Sequence, residues 1–128
     1  MRVIYVAHRL GAGADREDNR RAASDWCGWI AKTFRVAISA DWIVLSGVWD
    51  ESMRELGIAT DLEMVSRADE VWLVGPVVSP GMMAEAMHGQ RCGKTLRDFT
   101  GLDRDAIVRA VNVNAGWGIA ASEAREAP

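Results

Sequence analysis

The stretch "DEVWLVGPVVSPGMMAEAMHG", Asp69 to Gly89, decides the fold. Within its first seven residues, Val71 to Val74 form an apolar run that looks like a buried strand. "VSPG" then makes a turn. Ser79 is a good N-cap and Pro80 fits the first helical position, so a helix is expected over 80–92. Strand, turn and helix in this order are one half of a βαβ unit. The same grammar repeats outward in both directions. Upstream, 52–67 carries Met53 and then Ile58, Leu62 and Val65 four and three residues apart, which predicts a helix. "RVAISADWIVL" (35–45) reads as a second strand, 17–34 as a helix with Ala23, Trp26, Cys27, Ile30 and Phe34 on one face, and "RVIYVAH" (2–8) as the first strand. Downstream, "GKTLRDF" (93–99) holds a short strand, and Asp103 can cap a last helix beginning in "GLDRDAIVRAV". Alternating strands and helices at this spacing predict an α/β chain with parallel pairing. The expected class is a three-layer Rossmann-like (flavodoxin-like) fold with a parallel sheet of four or five strands. One domain is expected over 1–120, with a polar, fraying tail over 121–128.

In such sheets ligands bind outside the carboxyl ends of the strands. The loops that matter are then 8–16, 46–52 and 75–81. The glycines of "RLGAGAD" (9–15) do not form GxGxxG, and GxxxxGK[ST] is absent, which leaves a dinucleotide or P-loop reading little support.

Composition narrows the partners. The 128 residues are 49% hydrophobic and 26% charged, with a formal net charge of −3. That balance argues against binding the nucleic-acid backbone, which favours a basic surface. No apolar run reaches the length of a membrane span. "MRVIYVAHRL" has too short an apolar run for a signal peptide and reads better as a first strand. Cys27 and Cys92 lack metal-ligand or CxxC spacing, so two buried, reduced thiols in a cytoplasmic protein are expected. Neither a metal nor a cofactor is expected.

Two acids fall on apolar faces. With Asp61 at zero on the helical wheel of 52–67, Ile58 and Val65 lie about 60° and 40° to one side, and Met64 and Gly57 lie about 60° and 40° to the other. Burying a lone carboxylate is costly, so Asp61 needs a buried donor to pair with or a chemical task. Glu85 shares its face with Gly81, Met82, Gly89 and Cys92. The small residues let that helix approach the sheet, and Glu85 then points toward the strand ends. It is either a hydrogen-bonded, partly buried acid or a reactive one. Ser79 is either a plain cap or, with the helix N-terminus behind it, a seat for an anion. Paired carboxylates in a small cleft suit glycosidic chemistry, in which one acts at the anomeric carbon and the other handles the proton.

Four segments together resemble the nucleoside 2-deoxyribosyltransferase-like superfamily, which includes 2′-deoxynucleoside 5′-phosphate N-hydrolases. They are "IYVAH" (4–8), "NRRAASDW" (19–26), "DLEMVSRADEVWLV" (61–74) and "SPGMMAEAMHGQRCGK" (79–94), which fall within roughly residues 2–97. The resemblance implies that Glu85 is the nucleophile attacking C1′, that Asp61 is the assisting acid and that Tyr5 positions the nucleophile. It implies that Ser79, with Gly81 beside it, contacts a 5′-phosphate, since transferases of the family usually carry Asp where this chain has Ser. It also implies a small-molecule nucleoside or nucleotide as ligand and a homodimer or higher homo-oligomer.

The chain departs from the pattern at His8-Arg9, where Gly-Pro or a similar pair is common. Arg9 either contacts a phosphate or is a surface residue. His8 is either an acid/base or a hydrogen-bonded loop histidine. Asn19, on the apolar face of the first helix, either touches a ligand or ties the first loop. Asn112 and Asn114 are weak candidates for completing a neighbouring subunit's site, and the apolar "VNVNAGWGIAA" would suit an interface. Trp26 and Trp72 read as core. Trp42 and Trp49 could stack a base or pack against a neighbour.

Overall fold

The computed structural model describes residues 1–11 and 13–113. In chain order the elements are β1 (Val3–Ala7), α1 (Asp15–Phe34), β2 (Ala37–Ala40), α2 (Trp42–Ser46), α3 (Arg54–Arg67), β3 (Glu70–Leu73), α4 (Pro80–Arg91), β4 (Thr95–Asp98) and α5 (Arg104–Val113). A single 3-10 turn over Glu51–Met53 leads into α3. The four strands pair only in parallel, in the order β2-β1-β3-β4. The expected α/β class and Rossmann-like arrangement hold.

Strand alternation divides the core into two layers. Ile4, Val6, Trp72 and Val74 face one side and pack with Cys27, Ile30 and Phe34 of α1 and Ile107 and Val111 of α5. Tyr5, Ala7, Val71 and Leu73 face the other and pack with Val65 of α3 and Met82 and Ala86 of α4. The chain steps outward from β1 to β2, then back across β1 to β3. Crossovers of one hand therefore put α1 and α3 on opposite faces. The reversal between β1 and β3 opens a crevice at their carboxyl ends.

Helical periodicity located α1 well: Ala23, Cys27, Ile30 and Phe34 are all buried. Trp26 is only half-buried. It begins an edge-to-face aromatic series through Trp29, Phe34, Trp72 and Phe99, with neighbouring ring centroids 5.1–5.7 Å apart. On α4, Gly89 meets the sheet closely, since a Cβ there would lie 2.9 Å from Val71 Cγ2. Gly81 and Cys92 are exposed, so neither belongs to that approach and Cys92 is not the buried thiol expected. Cys27 is buried, which pushes its thiol up to about 11.

The second strand is shorter than expected. β2 stops at Ala40, and Trp42–Ser46 is a short helix. Asp41 causes the change. Its side chain accepts a hydrogen bond from the Ile43 amide, an N-cap that turns the backbone out of the sheet. Gly47 then closes the helix in the left-handed region.

Among the described residues no helix is long and apolar enough to cross a membrane. The expected tail over 121–128, Asn114 and the rest of "VNVNAGWGIAA" (111–121) beyond residue 113 lie outside the described residues. Asn112 is exposed near the end of α5.

A carboxylate-floored cleft at the strand ends

A cleft of about 380 Å³ opens at the carboxyl ends of the strands. Asp41, Asp61 and Glu85 all line it, together with His8, Arg16, Trp42, Trp49, Arg54, Ser79 and Gly81. Each acid arrives on a different element. Asp41 is the cap between β2 and α2, Asp61 comes from the middle of α3, and Glu85 from the second turn of α4. One carboxylate oxygen of each lies within 4.8 Å of the others.

Every acid has a donor. The buried Tyr5 hydroxyl, reaching from β1, donates to Glu85 Oε2 at 2.7 Å. The Trp42 amide donates to Asp61 Oδ1 at 2.8 Å, and the next amide, Ile43, donates to Asp41 Oδ1 at 2.8 Å. Gly57 makes the first of these contacts sterically possible, because a Cβ there would lie 1.9 Å from the Trp42 ring nitrogen. The wheel placement of Asp61 on the inner face of α3 is realised: Gly57, Asp61 and Val65 are its buried residues. Ile58, expected beside them, is 50% exposed and lines the cleft instead.

Crowding controls protonation. Three carboxyl groups this close cannot all carry charge. Burial pushes Glu85 up to about 8, opposed by the Tyr5 hydrogen bond. Burial pushes Asp61 upward too, reinforced by a hydrogen bond with Asp41 and opposed by the Trp42 amide. Tyr5 is held well above its ordinary value by burial and by the Glu85 carboxyl beside it, so it remains a hydroxyl donor. The spacing would also admit a divalent cation, which takes such oxygen ligands. Shared protons relieve the same crowding without one.

The remaining candidates divide. His8 is buried and lines the cleft. Its Nδ1 lies 2.7 Å from the Arg9 carbonyl, which can only accept, so Nδ1 carries the proton. Burial lowers its pKa, which favours the neutral ring. Gly75, at φ +99°, lets the chain pass: a Cβ would lie 2.7 Å from His8 Cδ2 and Nε2. Ser79 caps α4 by accepting from the Met82 amide at 3.2 Å, and both it and Gly81 line the cleft. Arg9 is exposed and does not line the cleft. Asn19 ties the first loop, donating to the Leu10 carbonyl at 3.0 Å, and it too stays out of the cleft lining.

Sequence reasoning missed three charged residues of the cleft. Asp41 sat inside an apparent strand. Arg16 and Arg54 were ordinary helix-start cations until folded. Arg16 lies over the Trp49 ring, 3.6 Å from its centroid, and its Nε is buried without a hydrogen-bond partner among the described residues.

An acid-floored cleft at the topological switch point of a β2-β1-β3-β4 parallel sheet defines a Rossmann-like α/β protein with a candidate small-molecule site. The chain belongs to the family described as a domain of unknown function (DUF7768), whose model matches residues 2–99. A comparison with curated proteins finds no match.

Proposed function

We propose that the protein cleaves or transfers at the N-glycosidic bond of a (deoxy)nucleoside or its 5′-monophosphate, with Glu85 as nucleophile. The observation that carries this reading is the Glu85 carboxyl, held by Tyr5 at 2.7 Å and set beside Asp61 on the floor of the cleft. It agrees with the resemblance to the nucleoside 2-deoxyribosyltransferase-like superfamily. Carboxyl groups roughly 5 Å apart belong to double displacement with retention. In the first step a Glu85 oxygen bonds to C1′ as the C1′–N bond breaks, and Asp61 gives its proton to the departing base. In the second step water or another base attacks C1′, Glu85 leaves as carboxylate, and the attacking group's proton returns to Asp61. Tyr5 favours the ionised form of Glu85 relative to Asp61, which matches the two roles.

Ser79 and the exposed Gly81 amide at the start of α4 suit a phosphate. Arg16 and Arg54, not Arg9, are the arginines that reach the cleft. Trp42 and Trp49 offer faces for a base. Leu45, Val48, Leu56 and Ile58 are all at least half exposed, which suits the homo-oligomer.

The test is incubation with a panel of nucleosides and their 5′-monophosphates, with released base resolved by chromatography. Release that disappears in Glu85→Ala supports the reading. No release from any member, or full activity in Glu85→Ala, refutes it. A second reading, a non-catalytic nucleotide-binding module, is favoured by the upward push on Glu85 to about 8, since a carboxyl that keeps its proton at neutral pH can donate a hydrogen bond to a ligand. That reading predicts thermal stabilisation by nucleotide without turnover.

A further inference from the structure

Asp41 does more than an N-cap requires. Capping needs one oxygen on the Ile43 amide, and Asp41 Oδ1 supplies it. Its carboxyl group also has an oxygen within 4.8 Å of one on Asp61 from α3 and one on Glu85 from α4, and it shares a hydrogen bond with Asp61. The geometry is fixed by the backbone. Two consecutive amides, Trp42 and Ile43, grip Asp61 and Asp41 respectively, each at 2.8 Å. One helical turn therefore sets the spacing of two acids that lie 20 positions apart in the chain (41 and 61). Two carboxyl groups can hydrogen-bond to each other only with a proton between them. Glu85 stands differently, because its partner is the Tyr5 hydroxyl.

We propose that Asp41 is a positioning residue that keeps the Asp61 carboxyl in its protonated, acid form, so that Glu85 is the group that ionises. Its consequence for turnover rests on the N-glycosidic reading above. Its consequence for proton occupancy does not.

The other charged and titratable groups facing the cleft leave this pairing in place. His8 turns its Nδ1 proton to the Arg9 carbonyl. Arg16 lies over Trp49 and donates to the Gly11 carbonyl at 3.3 Å. Arg54 is 3.6 Å from Glu51. Tyr5 donates to Glu85.

The experiment is a carboxyl-carbon NMR titration of the ligand-free protein, wild type against Asp41→Asn and Asp41→Ser. Both replacements retain an N-cap oxygen, so the short helix persists. Both remove the negative neighbour, and Asn adds a donor that favours ionised Asp61. The expected result is an Asp61 midpoint at least about one pH unit lower in both variants, with a smaller change at Glu85. On any substrate that is turned over, the alkaline limb of kcat/KM moves to lower pH by the same amount. An Asp61 midpoint unmoved in two folded variants overturns the proposal and leaves Asp41 a cap. If the wild type turns over no substrate, the N-glycosidic reading fails while the titration still decides this one.

Discussion

Replacing Glu85 by Gln should make the protein more stable, and only at the alkaline end. Gln is close in shape and its carbonyl can still accept the Tyr5 hydroxyl, which lies 2.7 Å from Glu85 Oε2. What disappears is the charge. In the fold Glu85 titrates near 8, against an ordinary value of 4.5. Between those values the folded chain holds a proton that the unfolded chain has released. Unfolding therefore releases a proton, and stability falls as pH rises through this window. The contribution is intact below about pH 4.5 and lost above about 8. At about 1.4 kcal/mol for each pH unit, the loss is at most on the order of 4–5 kcal/mol. The side chain opens on the cleft, and solvent screening brings the realised loss to roughly 2 kcal/mol. For a chain of this size that corresponds to about 8 °C in Tm. Melting curves from pH 4 to 9 check it. The two proteins should coincide near pH 4, and the variant should melt higher by an increasing margin above pH 6. Taking the difference cancels exposed groups such as Glu17, which its hydrogen bond to Arg20 holds down to about 2 in both proteins. A margin that is flat with pH, or that favours the wild type at pH 9, would refute the reasoning, because Glu85 would then ionise as readily in the fold as in the unfolded chain.

Two further substitutions probe what supports the cleft and what does not. Gly57→Ala forces a Cβ to 1.9 Å from the Trp42 ring nitrogen, so the ring must move. Overpacking of this kind should cost about 1–3 kcal/mol in urea unfolding and weaken ligand binding with it, since Trp42 lines the cleft; an unchanged midpoint would mean that the α2–α3 contact is loose. Glu70→Ala removes a carboxylate 2% exposed that accepts from Trp72 Nε1 and Arg97 Nε, both at 2.8 Å, and from Arg2 at 3.1 Å. Leaving the Arg97 guanidinium unpaired beside β3 should cost about 3–5 kcal/mol in the same assay. Glu70 begins β3, at the opposite strand ends from the cleft, so the three-acid titration should not move.

The layout of the fold was legible because its signals are local. Strand β3 continues from Glu70 into a bare apolar run, α1 repeats its buried residues at helical spacing, and α4 announces itself with Ser79 and Pro80. The end of β2 was illegible for a related reason. "ADWIVL" (40–45) is as apolar and β-branched as a strand, and Asp41 speaks against one only through a cap that needs the following residues to turn. The winning contribution is tertiary: Trp42 finds space over Gly57 and its amide finds Asp61. Neither partner is within reach of a pattern read along the chain.

The site shows the same division more sharply. Asp61 and Glu85 could be picked out because each breaks an apolar face, and a broken face is visible in one element alone. Asp41 breaks no such pattern, and Glu70, as buried as any of them, stands at the first position of β3, where it interrupts no apolar face. Arg16 and Arg54 became part of the cleft only when the fold brought the first turns of α1 and α3 to its lining. What the sequence could not carry is the number of protons on the floor, since that depends on distances between three elements. Asp61 alone on its helix is an ionised acid seeking a donor. Buried against Asp41, with Glu85 within 4.8 Å, it holds its proton more tightly. Proximity makes three like residues differ in how readily they ionise, and the parallel sheet creates that proximity by bringing the end of β2, the middle of α3 and the second turn of α4 to one edge.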